Sequence, residues 1–600
     1  MSYMGKVLRI NLTSGEIKTE DFPRELARKF LGGRGLATKM FFDEVDPKVD
    51  PLSPENKLFF ATGPLSNTAA PSGGRYMVIT KSPLTNIIAS SNSGGFFGAM
   101  LKKAGYDIIV FEGKSPNPVY LEVNGEHVEL KDASHLWGKR VGETTDMILA
   151  GVDDRSASVA TIGTAGESLS LLASIMNDKH RAAGRGGVGA VMGSKNLKAV
   201  VAWGKGRSPI VDQDAFKQVI KNQFSLIKEH PVTGQGLPTL GTKVLDNIIN
   251  SNGMYPVKNF QEATFDKVDS MSGEALIEKG YLKKNSSCFA CSIGCGRVVE
   301  LPNGMTGEGP EYESGWAFGP LCGISDLNAI TEANLICNDI GVDTIGAGVT
   351  IATAMELFEK GYLPGDDLGK GPKLEFGNTE ALSYYLQSMA AGRDEVGQWL
   401  HKGSYRMAEH YGHPELSMSV KKQELPAYDP RGVQGHGLGY ATSNRGGCHV
   451  RQYLISPEIL GVPEKLDPQA LQDKPKWVMT FQDLTAVIDS AGLCLFTSFA
   501  LGAQDYADLL NAALGENWTA EEVLQIGERI WNLERQFNLN AGMSPLDDTL
   551  PKRLLKEPIN DGPNKGMTSK LEELLPEYYQ LRGWDNEGKP TKEKFVALGI

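Results

Sequence analysis

HRAAGRGGVGAVMGSKN, residues 180–196, decides which kind of mixed chain this is. Gly184-Arg185-Gly186-Gly187-Val188-Gly189 formally satisfies GxGxxG, the turn that grips a dinucleotide pyrophosphate. That turn works between a strand and a helix, with an acidic residue about 20 positions on. No clear strand precedes it and no such acid follows, so the dinucleotide reading fails. In MGSKN the serine precedes the lysine, which also excludes a Walker loop. Two further glycine-rich stretches, APSGGRYMV (70–78) and SSNSGGFFG (90–98), share its character. All three pair glycine, which lets backbone approach a guest, with the polar side chains Arg75, Asn92, Arg181 and Arg185. A flat, phosphate-bearing cofactor is the expected guest.

Around these loops the chain is rich in short β-branched and aromatic runs: VLRINLTSGEIKTEDF, KLFFATGP, YMVITKSP and PVYLEVNGEHVEL. The last carries Asn124-Gly125 in a hairpin pattern. Beyond a linker at Gly204–Pro209 the periodicity turns helical, as in AFKQVIKNQFSLIKEH and GVTIATAMELFEKGYL, and Pro414, Pro426 and Pro430 mark a second break. The expected fold is a multidomain α+β protein. A β-rich base domain spans 1–208, and two mainly helical domains follow at 209–417 and 418–600. No short-period repeat is visible.

Six hundred residues exceed what one hydrophobic core serves, and 69 glycines stand well above the average usage of about 7%. A net charge of −12 argues against nucleic acid. No stretch approaches the run of about 18 apolar residues that spans a bilayer, and the N-terminus has no signal-peptide pattern, so a cytoplasmic location is expected.

CFACSIGC (288–295) offers Cys288, Cys291 and Cys295 at CxxCxxxC spacing, following the helical pattern EALIEKGYLKK. One tight loop of thiolates plus a distant cysteine suits an iron–sulfur cluster. Structural zinc is the alternative, but it usually brings a second paired element, absent here. Cys322, Cys337, Cys448 and Cys494 are the candidates for the fourth ligand. Cys494 lies in DSAGLCL (489–495), which echoes NDIGVDT (338–344); both follow one helical run and precede another. Such turns either stop helices or attract an anion to the next helix's free N–H groups. In GEGPEYESGWAFGP (307–320), a carboxylate beside Tyr312 and Trp316 would gain proton affinity on burial and serve as a general base. His449, in SNRGGCHVR, is a candidate donor to a reacting oxygen.

Together these motifs resemble the tungsten-dependent aldehyde ferredoxin oxidoreductase family, from MGKVLRINL to the C-terminal region. The resemblance implies tungsten held by two pyranopterins, magnesium between their phosphates, and a [4Fe-4S] cluster on Cys288, Cys291, Cys295 and Cys494. It implies pterin contacts from Arg75, Asn92, Gly94, Arg181, Ala182, Gly184, Arg185, Asp343, Asp489, Leu493 and Leu495, with Asn92 and Ala182 serving magnesium. Glu313 is the expected base and His449 the oxyanion donor, with Tyr312 and Tyr428 positioning a small aldehyde. Electrons would pass to ferredoxin or to iron–sulfur and flavin partner subunits. The first turn departs from the family pattern at Asn338 and Val342. Where some members bridge dimers through ExxH pairs, Glu332 and Glu380 are followed by Leu335 and Ser383, so that homodimer is not expected. A relative acting on another carbonyl or an aromatic thioester, and a zinc-stabilised protein without catalysis, are the rival readings.

Overall fold

The computed structural model describes residues 2–125 and 127–600. β1 (Lys6–Asn11), β2 (Glu16–Asp21), β3 (Leu58–Thr62), β4 (Tyr76–Lys81), β5 (Ile88–Ser93) and β6 (Ile108–Glu112) form one sheet in the order β2-β1-β6-β3-β4-β5. β7 (Val119–Asn124), β8 (His127–Asp132), β9 (Ser158–Thr161), β10 (Ile175–Asn177), β11 (Arg181–Ala183) and β12 (Leu197–Trp203) form a second, in the order β8-β7-β12-β9-β10-β11. Each strand of the first sheet thus has its counterpart six strands later. The single parallel pairing falls in the same place in both, β1 with β6 and β7 with β12. The base is an internal duplication, too diverged and too long in period to read as a repeat.

Leu58 and Phe60 face the second sheet, in one apolar cluster with Leu121, Val123, Ile175 and Val200. Phe59 and Ala61 face the other way, into a core continuous with the helices that follow. With both faces covered, β3 and β4 are buried throughout and lose the alternation of a half-exposed strand. Helices also pack within the base, including α1 (Gly33–Glu44), α2 (Phe97–Lys103) and α3 (Val188–Ser194).

The GxGxxG stretch needs a correction. A three-residue strand, β11, does precede it, and α3 follows. Yet β11 is an edge strand antiparallel to β10, with β10 and β9 between it and β12, so no parallel βαβ unit forms. A second correction concerns the cysteines. Only the first five residues of EALIEKGYLKK are helical, as the end of a helix spanning Gly273–Glu278; the chain then enters β13 (Leu282–Ser286), which pairs antiparallel with β14 (Gly296–Glu300). CFACSIGC is the loop between these two strands, and β15 (Thr306–Glu308) completes their sheet. The hairpin of β7 and β8 forms one residue later than expected: Asn124 ends the strand and Gly125 begins the turn at φ 58°.

Beyond the base the chain is mainly helical. α4 (Gln213–Glu229), α5 (Tyr312–Phe318), α6 (Leu327–Ile340), α7 (Thr344–Glu359), α8 (Lys474–Ala491) and α9 (Ala520–Ala541) carry the argument below. No described helix is long and apolar enough to cross a membrane.

Candidate functional site

The two echoed turns cap helices and also dock on the duplicated base. α6 ends at Gly341 with φ 76°, and α8 ends at Gly492 with φ 86°, the left-handed conformation that glycine tolerates best. Gly163, just after β9, lies so close to the first turn that a Cβ would fall 2.2 Å from the Ile340 carbonyl oxygen. Gly63, just after β3, meets the Ala491 carbonyl oxygen at the same 2.2 Å. The Ser174 N–H donates to the Gly341 carbonyl at 2.9 Å, and the Arg75 N–H to the Gly492 carbonyl at 3.2 Å. Each half of the base therefore holds one turn in one manner.

Between base and helices lies a cavity of about 500 Å³, within the range of about 300–1,000 Å³ usual for organic ligands. Arg75, Gly94, Arg181, Ala182, Gly184 and Asp343 line it on the side of the base and first turn. Tyr312, Glu313, Tyr428, His449 and Cys295 line it elsewhere. Asn92 and Ala182 are the penultimate residues of the equivalent strands β5 and β11, which are joined by a bond from the Arg185 N–H to Ser91 Oγ at 3.2 Å.

Asn92, Arg185, Asp489, Leu493 and Leu495 are not among the residues that line it. Arg185 spends its guanidinium within the chain, on Asp343 at 3.1 Å and on the carbonyls of Gly447 and Glu424 at 2.7 and 2.6 Å. It thereby ties the first turn to the loop that carries His449. Asp489 accepts from Asn92 at 3.0 Å, from Arg34 at 3.4 Å and from Arg451. Arg34 in turn binds Glu534 of α9 at 2.7 Å. Sequence reading missed Arg34, Arg445 and Arg451, although Gly32-Gly33-Arg34-Gly35 carries the same glycine–arginine signature as the loops it did select.

Glu313, in the first turn of α5, and His449 meet across the cavity, with Oε1 3.5 Å from Nε2. Their side chains are 13% and 15% exposed. Burial pushes the Glu313 carboxyl up to about 8, against the pull of the Ala427 N–H, which donates at 2.9 Å, and of Arg185. Burial, aided by Arg185, holds His449 well below its usual range. Burial thus favours the uncharged form of both partners. Glu313 Oε1 and His449 Nδ1 have no hydrogen-bond partner in the chain, which is what a site waiting for a polar reactant presents. Tyr312 Oη donates to the Ala427 carbonyl at 2.8 Å, and Tyr428 Oη bonds Tyr453 Oη at 2.9 Å. Both tyrosines line the cavity while their hydroxyls are engaged within the chain.

The second turn brings Cys494 toward the 288–295 loop. Arg75 Nη2 donates to Cys494 Sγ at 3.0 Å, and a Cβ on Gly94 would fall 3.4 Å from the same guanidinium carbon. A Cβ on Gly94 would lie 2.9 Å from Cys288 Sγ, so the 288–295 loop abuts the cavity rim. Cys322, in a 3-10 turn, and Cys337, on α6, are fully buried, and Cys448 is held by Arg445 at 2.9 Å. Among the described residues no three ligand side chains close to the spacing of a single ion.

The domain model described as the aldehyde ferredoxin oxidoreductase N-terminal domain matches residues 7–204, and that for domains 2 and 3 matches 218–600. The chain belongs to the aldehyde ferredoxin oxidoreductase family. The tungsten-containing aldehyde ferredoxin oxidoreductase of Pyrococcus furiosus is 59% identical over 598 residues, covering 99% of this chain and 98% of its own. That of Thermococcus kodakarensis is 57% identical with the same coverage. In three dimensions the chain superposes on the active site complex BamBC of benzoyl coenzyme A reductase, bound to 1,5-dienoyl-CoA. The TM-score is 0.87 at 28% identity, over 100% of this chain and 97% of that one. With relatives this similar, the chain is an oxidoreductase, and its β-rich base under a mainly helical body is the family fold.

Proposed function

We propose that the chain oxidises small aldehydes to carboxylic acids, with water supplying the oxygen, and delivers the electrons to an external acceptor. The observation that carries this reading is the Glu313–His449 pair, facing one cavity with the thiol group at its rim. The overall change is RCHO + H2O to RCOOH with two electrons and two protons released.

A tungsten centre carried by two pyranopterins would supply the two-electron redox step when bound. The paired rims of β5 and β11, each with its docked turn, suit two similar halves of one cofactor. Arg75, Gly94, Arg181, Ala182, Gly184 and Asp343 would contact it directly. Asn92, Arg185, Asp489, Leu493 and Leu495 would support those contacts from behind, and Asn92 and Ala182 would serve magnesium. Cys288, Cys291, Cys295 and Cys494 would hold the [4Fe-4S] cluster. Burial holds Cys295 and Cys494 protonated in the metal-free chain, so ligation releases protons.

Glu313 takes a proton from water as it attacks the carbonyl carbon, a task suited to a carboxylate tuned near neutral pH. His449, held neutral, keeps one N–H for the oxygen on which negative charge develops. A preorganised donor of that kind lowers the barrier by about 3–4 kcal/mol. The ring faces of Tyr312 and Tyr428 confine the substrate. Replacing Glu313 by Gln tests the reading: turnover should be lost with metal and iron content intact, and near-normal rates would remove Glu313 from the chemistry. The likeness to benzoyl coenzyme A reductase offers the same scaffold to an aromatic thioester, but relatives at 57–59% identity weigh toward aldehydes.

A further inference from the structure

We infer that His436 is the relay in a proton exit leading from the Glu313–His449 pair, by way of the Tyr428 and Tyr453 hydroxyls, to the Glu458–Lys474 pair; the inference rests on the catalytic reading above. Oxidising one aldehyde frees two protons inside the cavity, and Glu313 must lose the one it takes before it can serve again. His436 lies in the helix Gln434–Thr442, is fully buried and lines no part of the cavity. It packs one ring behind the lining. Its ring meets those of Tyr428 and Tyr453 edge to face, with centroids 5.2 and 6.3 Å apart. Both tyrosines line the cavity, as does His449, whose ring centroid stands 6.0 Å from that of Tyr428 and 6.3 Å from that of Tyr453. The two hydroxyls bond each other at 2.9 Å, so one tyrosine pair adjoins both histidines. Tyr440 also packs on His436, at 4.7 Å, but its hydroxyl is spent on the Tyr428 carbonyl at 3.3 Å.

Neither ring nitrogen of His436 has a hydrogen-bond partner in the chain. An unsatisfied buried polar group is costly, and a phenyl ring of similar size would fill the same space without it, so packing alone does not account for a histidine here. Burial pushes the ring down to about 3, which keeps it neutral. A neutral imidazole accepts at one nitrogen and donates from the other. It can therefore take up a proton at one nitrogen while releasing one from the other. Bridging water completes the steps that exceed hydrogen-bond length. The outlet begins on the same helix, where the N–H groups of Gly435 and His436 donate to the Glu458 carboxylate at 3.0 and 3.1 Å. Lys474 Nζ donates to Glu458 at 2.6 Å and to the carbonyl of exposed Asp467 at 2.6 Å. Lys465, also exposed, donates to the Glu458 carbonyl at 2.7 Å. Burial raises the Glu458 carboxyl against the pull of Lys474, which suits it to hold a proton in passing. Each proton thus leaves Glu313, reaches Glu458 and goes to water beside Asp467, and no electron moves along this route.

The test compares the wild-type holoenzyme with its His436→Phe and His436→Gln variants, with acetaldehyde as substrate and benzyl viologen as acceptor, in H2O and in D2O. Phe keeps the ring volume, and Gln keeps a polar group that takes up no proton near neutral pH. The first turnover should run at the wild-type rate in a burst of two reduced viologens per site, because Glu313 starts free to act. Steady-state kcat should then fall by about 10²-fold with kcat/KM retained, since only the resetting of Glu313 is slowed. The solvent isotope effect on kcat should grow, and tungsten and iron content should stay unchanged. A wild-type kcat in both variants overturns the proposal. So does a loss of kcat/KM, of the first turnover or of metal content in both, any of which marks His436 as structural. A wild type that oxidises no aldehyde overturns the catalytic reading itself, and this one with it.

Discussion

Arg75 Nη2 lies 3.0 Å from Cys494 Sγ while its Nη1 donates to Asn92 Oδ1 at 2.8 Å, so one guanidinium joins the distant cysteine to the rim of the cavity. Replacing it by methionine keeps much of the bulk and removes the link. The expected outcome is slower reduction of the iron–sulfur cluster by aldehyde in stopped-flow experiments, with iron content retained. An unchanged rate would mean that electrons leave by another way.

The Glu313 carboxyl, raised to about 8 by burial, is protonated below that value and competent as a base above it. The ratio kcat/KM should therefore rise with pH through the neutral range and level off above about 8. This profile reports the free enzyme. Glu313→Gln should cost about 10²–10⁴-fold in kcat and abolish the limb. A flat profile in the wild type would contradict the assignment.

How much of this was legible in the sequence depends on the kind of signal. CFACSIGC and DSAGLCL stood out because soft ligands are rare and their spacing is chemical. The helices of the second half followed from periodicity. The duplicated base did not, because its halves share a path rather than residues: Gly94 and Gly184 match at equivalent rims, but most neighbours differ. The internal bonding of Arg185 and Asp489 was hidden too, since their partners Glu424, Gly447, Arg34 and Arg451 are remote in sequence. β13 was misread as helix because LKKNS has no strand-like alternation; it is held by pairing with β14.

Gly163 and Gly63 touch the carbonyls of the two turns, where any Cβ must displace backbone. Gly163→Ala should destabilise the protein by about 1–3 kcal/mol, as overpacking does, and lower cofactor content. Gly365→Ala, with nothing within 4 Å of its Cβ and no left-handed backbone, serves as the control for a glycine substitution without a clash. Equal cofactor content in the two variants would argue against the docking of turns on the base.

Asp548 is buried between Lys421 Nζ at 2.9 Å and Arg535 Nη2 at 2.7 Å. Burial alone would raise its carboxyl, but the two cations hold it down to about 2, from an ordinary 3.8. The stability this lends is present above the ordinary value and lost as pH falls toward about 2. Asp548→Ala leaves both cations unpaired and should cost about 3–5 kcal/mol, read as a lower thermal midpoint at neutral pH. A midpoint equal to the wild type would deny the triad its role.

The central claim is that Cys494 and the 288–295 trio converge on one cluster beside the catalytic cavity. Electron paramagnetic resonance of the anaerobically purified protein, after addition of an aldehyde without any acceptor, tests it most directly, with the Cys494→Ser variant run alongside. The account predicts a reduced [4Fe-4S] signal in the wild type, with about four iron per chain, and a lost or altered signal in the variant. A wild type without iron, or a variant whose iron content and spectrum match the wild type, would contradict it.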